Sequence, residues 1–325
     1  MKEKKRILIA GGSGFLGQAL AHHFLNVDWD VVILTRSPGQ SGLFGRQVSW
    51  DAGTLGEWAR EVERSAAVIN LTGKSVNCRY NAQNRREILE SRVNSTRVLG
   101  EAIGRCSQPP QVWLNASTAT VYRHTFGEPW DERGQTEATA EAKDRFSVEV
   151  ACAWELALNE ASTPRTRKVA MRMAMVLGLG KNSVFPVLHR LTKLGLGGRM
   201  GTGRQFVSWI HEADYCRSVE WLIAHTDFEG PVNLVAPNPL PNAEMMRALR
   251  HVCGVPFGLP ATDWMLEVGA FVLRTETELL IKSRRVIPGR LLKSGFAFQF
   301  PTIRAAFEDL TRRAEPVHPR KAEHV

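Results

Sequence analysis

Arg6-Ile7-Leu8-Ile9-Ala10-Gly11-Gly12-Ser13-Gly14-Phe15-Leu16-Gly17 runs directly into Gln18-Ala19-Leu20-Ala21-His22-His23-Phe24-Leu25. A short apolar run that halts at glycines and resumes with apolar positions of helical period predicts a strand, a tight turn and a helix. Gly11, Gly14 and Gly17 form G-x-x-G-x-x-G across that junction. One glycine permits the tight turn, one lets a pyrophosphate approach the backbone, and one lets the helix press on the strand. The helix N-terminus then offers unpaired N–H groups to phosphate oxygens. Glycine spacing alone is weak evidence. Between this strand and this helix it predicts a dinucleotide site rather than a merely structural turn.

Further apolar runs recur downstream at Val31–Leu34, Ala67–Leu71, Val112–Ala116 and Val169–Leu177, separated by helical stretches at Arg86–Ile103 and Val148–Glu160. Strands without polar alternation, interleaved with helices, predict an α/β protein with a doubly wound parallel sheet, Rossmann-like, covered on both faces. After Leu177 the rhythm breaks: glycines crowd between Gly195 and Gly203, prolines between Pro231 and Pro241, and a helix is expected at Ala243–Val252. The predicted organisation is a dinucleotide-binding domain over 1–177 plus about 206–236, and a smaller α/β substrate lobe over about 178–205 plus 237–315. A solvated tail is expected over the last fifteen residues, flexible from 316 to 325.

The 325 residues suit about two domains, and 43% hydrophobic with 23% charged residues disfavours disordered, collagen-like and coiled-coil chains. The net charge of +9 raises the question of a nucleic-acid partner, but residues 1–6 and 311–325 hold five of those nine charges. No helix interleaves a basic stripe with stacking aromatics, so no specific nucleic acid is expected. Cys78, Cys106, Cys152, Cys216 and Cys253 are odd in number and form no C-x-x-C pair, as expected of thiols in a reducing cytoplasm. No apolar run approaches membrane-spanning length and no signal peptide precedes the first strand, so the expected location is cytoplasmic, without a membrane. Histidine spacings of metalloenzymes and the serine-hydrolase G-x-S-x-G are missing, so neither a metal nor an acyl-enzyme is expected.

The end of the second strand selects the cofactor. An acidic residue there would accept hydrogen bonds from the adenosine ribose; the chain has Thr35 and Arg36. A guanidinium suits a 2′-phosphate, which favours NADP(H) over NAD. The alternative is a solvated Arg36 that stacks on adenine without discriminating.

With GGSGFLG, a second strand ending in LTR, and NASTATVY at the fifth strand, the sequence resembles the extended short-chain dehydrogenase/reductases, the nucleotide-sugar epimerase and dehydratase class. More narrowly, INLTGKSV, SRVNSTRVL, the run from Gly195 to Asp214 and the C-terminal Arg284–Thr302 are similar to its epimerase-like branch, with that branch's C-terminal domain. The resemblance implies a cofactor clamp. Gly11, Ser13, Gly14, Phe15, Leu16 and Gly17 match the phosphate loop, Thr35 and Arg36 the adenosine-phosphate end, and Asp51 an acceptor for the adenine amino group. Leu71 and Thr72 fall where backbone approaches the cofactor ribose. Glu87 and Arg92 match polar positions facing the cofactor, or are simply solvated helix-face charges.

The same resemblance implies a catalytic Ser or Thr at the fifth strand and Tyr-x-x-x-Lys on the following helix, the tyrosine acting as acid or base and the lysine lowering its pKa. Thr118 matches the hydroxyl. The tyrosine and lysine are missing: counting back from Glu155 puts Ser147 and Ala151 in their places. Tyr122, four residues after Thr118, is then either a replacement proton donor or, the preferred reading, part of the pocket wall. His211 and Asp214 read either as an acid/base pair or, preferably, as a buried histidine and a helix cap. Where sugar-nucleotide relatives carry an asparagine after the sixth strand, this chain has Met175-Val176-Leu177-Gly178, which implies a less polar pocket. The expected protein is an NADP(H)-binding oxidoreductase or epimerase acting on a small molecule in a cleft between the lobes. The rival expectation is a catalytically silent NADP(H)-binding regulatory or interaction protein.

Overall fold

A computed structural model describes residues 4–262 and 282–315. The anticipated flexible tail, 316–325, lies outside the described residues. In chain order the elements are β1 (Arg6–Ala10), α1 (Phe15–Asn26), β2 (Asp30–Thr35), β3 (Arg46–Ser49), β4 (Ala67–Asn70), α2 (Ala82–Arg105), β5 (Val112–Thr118), α3 (Arg145–Glu160), β6 (Arg167–Met173), β7 (Met175–Leu177), α4 (Val184–Lys193), β8 (Phe206–Val207), β9 (Trp209–His211), α5 (Glu212–Ala224), β10 (Gly230–Leu234), β11 (Leu240–Pro241), α6 (Asn242–Val252), α7 (Gly289–Lys293) and α8 (Ile303–Ala314). Seven strands form one sheet in the order β10-β6-β5-β4-β1-β2-β3, with every pair parallel.

The apolar strands are explained by burial on both sides, since successive side chains point to opposite faces. Ile7 and Ile9, Val31 and Ile33, and Val112 and Leu114 face one way and pack with Leu20 and Phe24 of α1 and Val219 and Leu222 of α5. Leu8 and Ala10, Val32 and Leu34, and Trp113 face the other way, against Val98, Leu99 and Ile103 of α2. A third core joins Phe185 and Leu188 of α4, Met245, Met246 and Leu249 of α6, and Ile303, Phe307 and Leu310 of α8. This is the interior of the smaller lobe. Between the two regions, residues 282–288 are stitched to the loop after β5 and to β8: Ser283 Oγ donates to Thr125 O at 2.6 Å, Phe206 N donates to Ser283 Oγ at 2.9 Å, and Ile287 N donates to Trp130 O at 2.9 Å.

Three boundaries differ from the sequence reading. The run 169–177 is two strands: β6 lies in the main sheet, whereas β7 pairs with β9. The segment returning at 206 begins in a two-stranded ribbon, β8 against β11, and regains the main sheet only at β10. The tail expected from residue 311 is helical as far as Ala314, because Leu310 and Thr311 are buried.

Gly17 shows why the third glycine of the turn cannot carry a side chain. A β-carbon there would stand 2.5 Å from the Gly12 α-carbon and 2.8 Å from the Gly11 carbonyl oxygen. Backbone cannot retreat as a flexible side chain can. Gly17→Ala gains about 1 kcal/mol of helix propensity and loses roughly 1–3 kcal/mol to overpacking, so a net loss of stability is expected. Urea unfolding checks it through a lowered midpoint at unchanged slope.

Candidate functional site

The glycine turn and the end of β4 form adjacent walls at the carboxyl ends of the strands. β1 lies between β2 and β4, so the chain order reverses there and a crevice opens. Gly11 has φ +75, and a β-carbon on it would meet Leu71 and Thr72 backbone at 3.0 Å. Gly14 occupies the N-cap of α1, where no side chain accepts from the first-turn N–H groups. A β-carbon on Gly14 would meet nothing nearer than Gly11 O at 3.5 Å, so the space above it is open to a ligand. The Thr72 hydroxyl oxygen is buried without a hydrogen-bond partner in the opposite wall. An uncapped helix end, an open approach over Gly14 and an orphaned hydroxyl fit a diphosphate with a ribose beside it.

At the other end, Thr35 is buried and its hydroxyl donates to Ser13 Oγ at 3.3 Å, tying β2 to the glycine turn. Arg36 follows it, exposed and claimed by no protein group among the described residues. Asp51 is exposed after β3, but its carboxylate is already engaged: Oδ1 accepts from Gly53 N and Thr54 N, each at 2.9 Å, and Oδ2 from Thr54 Oγ1 at 2.5 Å. The Thr54 hydroxyl and these two amides hold its pKa down at about 2. It therefore stands after β3 as a fixed anion. The Phe15 ring fills the space that side chains on Gly178 and Gly180 would take, with hypothetical β-carbons at 2.7 and 2.2 Å. It is a joint between α1 and the segment after β7.

Beyond Thr72 the wall is carried by α2. Asn70 Oδ1 accepts from Thr72 N at 3.0 Å, and Asn70 Nδ2 donates to Asn115 Oδ1 at 2.8 Å and Thr96 Oγ1 at 3.2 Å, so the ends of β4 and β5 are fixed together. Glu87 pairs with Lys74 and accepts from Gln83 Nε2 at 2.9 Å, and these two partners lower its pKa. Arg92 is half-buried beneath Gly73 and Lys74, and Nη1 donates to Lys74 O at 3.0 Å and Ile88 O at 2.9 Å. Arg92 is thus tied to the wall, whereas Glu87 remains a helix-face charge whose side chain is 42% exposed beside Lys74.

Thr118 ends β5, with its hydroxyl accepting from Thr120 N at 3.1 Å. Tyr122, by contrast, is buried. It is 1% exposed; its hydroxyl donates to Asn233 Oδ1 at 2.8 Å and accepts from Arg172 Nη1 at 2.9 Å. Burial raises its pKa to about 12, against the opposing effect of Arg172. Tyr122, read as a replacement donor or, preferably, as pocket wall, is instead a strut in a buried network. That network was missed in the sequence: Arg172 Nε and Nη2 hold both oxygens of Glu155 at 2.8 Å, and Ser117 Oγ donates to Glu155 Oε1 at 2.5 Å. The signal was Arg172 itself, a cation inside an apolar strand run. A second buried pair, Lys282 with Asp144, joins the smaller lobe to the start of α3, and Lys282 Nζ also donates to Thr120 O.

His211 and Asp214 are not an acid/base pair. His211 Nδ1 accepts from Ala213 N at 3.1 Å, so the histidine is itself the cap of α5 that had been assigned to Asp214. Asp214 instead accepts from Gln299 N and Phe300 N at 2.8 Å, anchoring the segment before α8. Among the described residues no group of three or more His, Cys, Asp or Glu could hold a metal, and no helix is long and apolar enough to cross a membrane.

Residues 7–235 match the model of the NAD-dependent epimerase/dehydratase family, and the chain belongs to that family. Residues 261–310 match a domain of unknown function, DUF1731. The cattle epimerase family protein SDR39U1 is 30% identical over 309 residues, covering 94% of this chain and 99% of that protein. Epimerase family protein YfhF of Bacillus subtilis is 29% identical over 308 residues, covering 94% and 97%. The crystal structure of human SDR39U1 with NADPH superimposes with a TM-score of 0.82 at 28% identity, covering 94% of this chain and 99% of that one.

Proposed function

We propose that the cleft binds NADP(H) and that the protein is an NADP(H)-dependent oxidoreductase or epimerase acting on a small molecule in the cytoplasm. The observation that carries this reading is the paired ends of one groove: an uncapped, unobstructed glycine turn at Gly14 and, at the adenosine-phosphate end, an exposed Arg36 with no partner among the described residues. The NADPH held by the human relative supports it. Bound there, the nicotinamide would supply or accept a hydride. The chain's own residues bind the phosphates at the first turn of α1, place the ribose against Thr72, and present Thr118 to a substrate oxygen. The five cysteines are free thiols in the structure, which supports a reducing compartment. A second reading, a silent NADP(H)-binding protein, is favoured by one observation: Ala151, where the lysine was expected, is fully buried and carries no charge.

Arg36→Asp tests the cofactor assignment. NADPH affinity should fall by roughly 1.5–3 kcal/mol, the scale of a hydrogen bond to a charged group, while NADH affinity changes far less. Calorimetric titration of both cofactors reads this directly. Equal losses would show that Arg36 does not recognise a 2′-phosphate.

A further inference from the structure

We propose that the cavity between Phe126, Phe206 and the start of α6 binds a small planar organic anion, an aromatic ring that carries a carboxylate or a phosphate. The cavity measures about 360 Å³. That lies within the roughly 300–1,000 Å³ of small-molecule sites. Its walls come from three separate stretches of chain: Phe126 from the loop after β5, Arg204 and Phe206 from the turn into β8, and Pro241, Glu244 and Arg247 from β11 and α6. It shares no residue with the groove of Gly14 and Arg36.

The walls are fixed by backbone and by one serine. Phe206 and Pro241 are partners in the β8–β11 ribbon, while Asn242 N donates to Gln205 O and Ala243 N to Gly203 O, each at 2.9 Å. Gly203 has φ +71, and a β-carbon there would stand 2.9 Å from the Ala243 β-carbon, so glycine is what lets the turn close on α6. Ser283 brings up the third wall: its Oγ accepts from Phe206 N at 2.9 Å and donates at 2.6 Å to the carbonyl of Thr125, the residue before Phe126. The cavity is formed in the protein alone, which lowers the ordering cost of binding.

The charge of the lining selects the ligand. Arg204 lies over the Phe126 ring, 5.9 Å from its centroid, and among the described residues neither its guanidinium nor that of Arg247 has a hydrogen-bond or carboxylate partner. Two more cations flank them. Arg285 lies over the Phe206 ring at 4.5 Å, and Arg199 Nη1 donates to Thr202 O at 3.0 Å, again with no carboxylate partner among the described residues. Glu244 is the one carboxylate in the lining, and it is exposed and pairs with none of the four. Like charges gathered in this way repel one another and concentrate anions at the cavity. Guanidinium forks match the paired oxygens of a carboxylate or phosphate, and the two phenylalanines offer flat apolar surface to a ring. Glu244 opposes the anion, so its charge weakens binding without preventing it.

Ligand-observed NMR titration of the full chain with benzoate and with phenyl phosphate, against neutral benzyl alcohol, tests the site. Either anion should saturate it at least about tenfold more tightly than the alcohol. Arg204→Gln and Arg247→Gln should each weaken anion binding by about tenfold and leave the alcohol unmoved. Glu244→Gln should tighten the anions severalfold. All three side chains are exposed, so thermal midpoints should hold and the folded variants can be compared directly. No saturable anion binding, an alcohol that binds as well as the anions, or anion affinities unmoved by both arginine substitutions overturns the proposal. Anion binding that is lost in Arg36→Asp but kept in Arg247→Gln overturns it too, since the ring would then occupy the cofactor groove. NADPH affinity should be unchanged in Arg204→Gln and Arg247→Gln, so the NADP(H) reading stands or falls separately.

Discussion

Gly14→Val is expected to abolish measurable NADPH binding, a loss of more than about 2.8 kcal/mol or a hundredfold in affinity, while leaving the protein folded. The two effects separate because of where the side chain goes. A β-carbon at Gly14 meets no protein atom closer than 3.5 Å, and the residue's φ of −77 suits any amino acid. The fold therefore loses no more than the cap preference, about 1 kcal/mol. The space the isopropyl group enters is the approach to the unpaired N–H groups of α1, where a pyrophosphate must come close. Fluorescence titration with NADPH alongside a thermal melt checks both halves. Unchanged affinity would mean that the turn serves packing alone.

Arg172→Met should be the most destabilising single change in the sheet, by about 3–5 kcal/mol, because it strands the Glu155 carboxylate in the interior. The side chains of this pair are 8% and 15% exposed, so water cannot replace the lost partner. The same substitution removes the donor to Tyr122. Against a total of roughly 5–15 kcal/mol for a folded domain, such a loss is a large fraction. Chemical unfolding should show it as a lowered midpoint. Adding Glu155→Leu to Arg172→Met should recover much of the loss, since replacing both members of a buried pair removes the unpaired charge that replacing one creates. A single variant as stable as wild type would show that the pair is solvated.

The main sheet was legible because its strands are buried on both faces, so that apolar runs such as Ile7–Ala10 and Val31–Leu34 carry no competing signal. β3 escaped notice for the opposite reason: Arg46-Gln47-Val48-Ser49 is an edge strand, half-exposed and mostly polar. The phosphate turn was legible because glycine spacing there is dictated by sterics, as Gly11 and Gly17 show. Tyr122 was misplaced because its neighbours are distant in sequence: Arg172 and Asn233 come from β6 and β10, fifty and more residues away. Nothing local marks a hydroxyl that points into the sheet rather than the cleft. His211 was read as buried correctly, yet its capping role was given to Asp214, since histidine is not among the preferred caps.

Hydride transfer by this chain is proposed although the usual tyrosine and lysine are gone. It is tested most directly by loading the purified protein with stoichiometric NADPH, adding fractionated metabolite pools, and following loss of the reduced nicotinamide absorbance in a single turnover. The predicted result is stoichiometric oxidation by at least one fraction, slower in Thr118→Ala. NADPH that binds tightly yet is oxidised by no fraction would contradict the claim and make the protein a cofactor-binding protein without turnover.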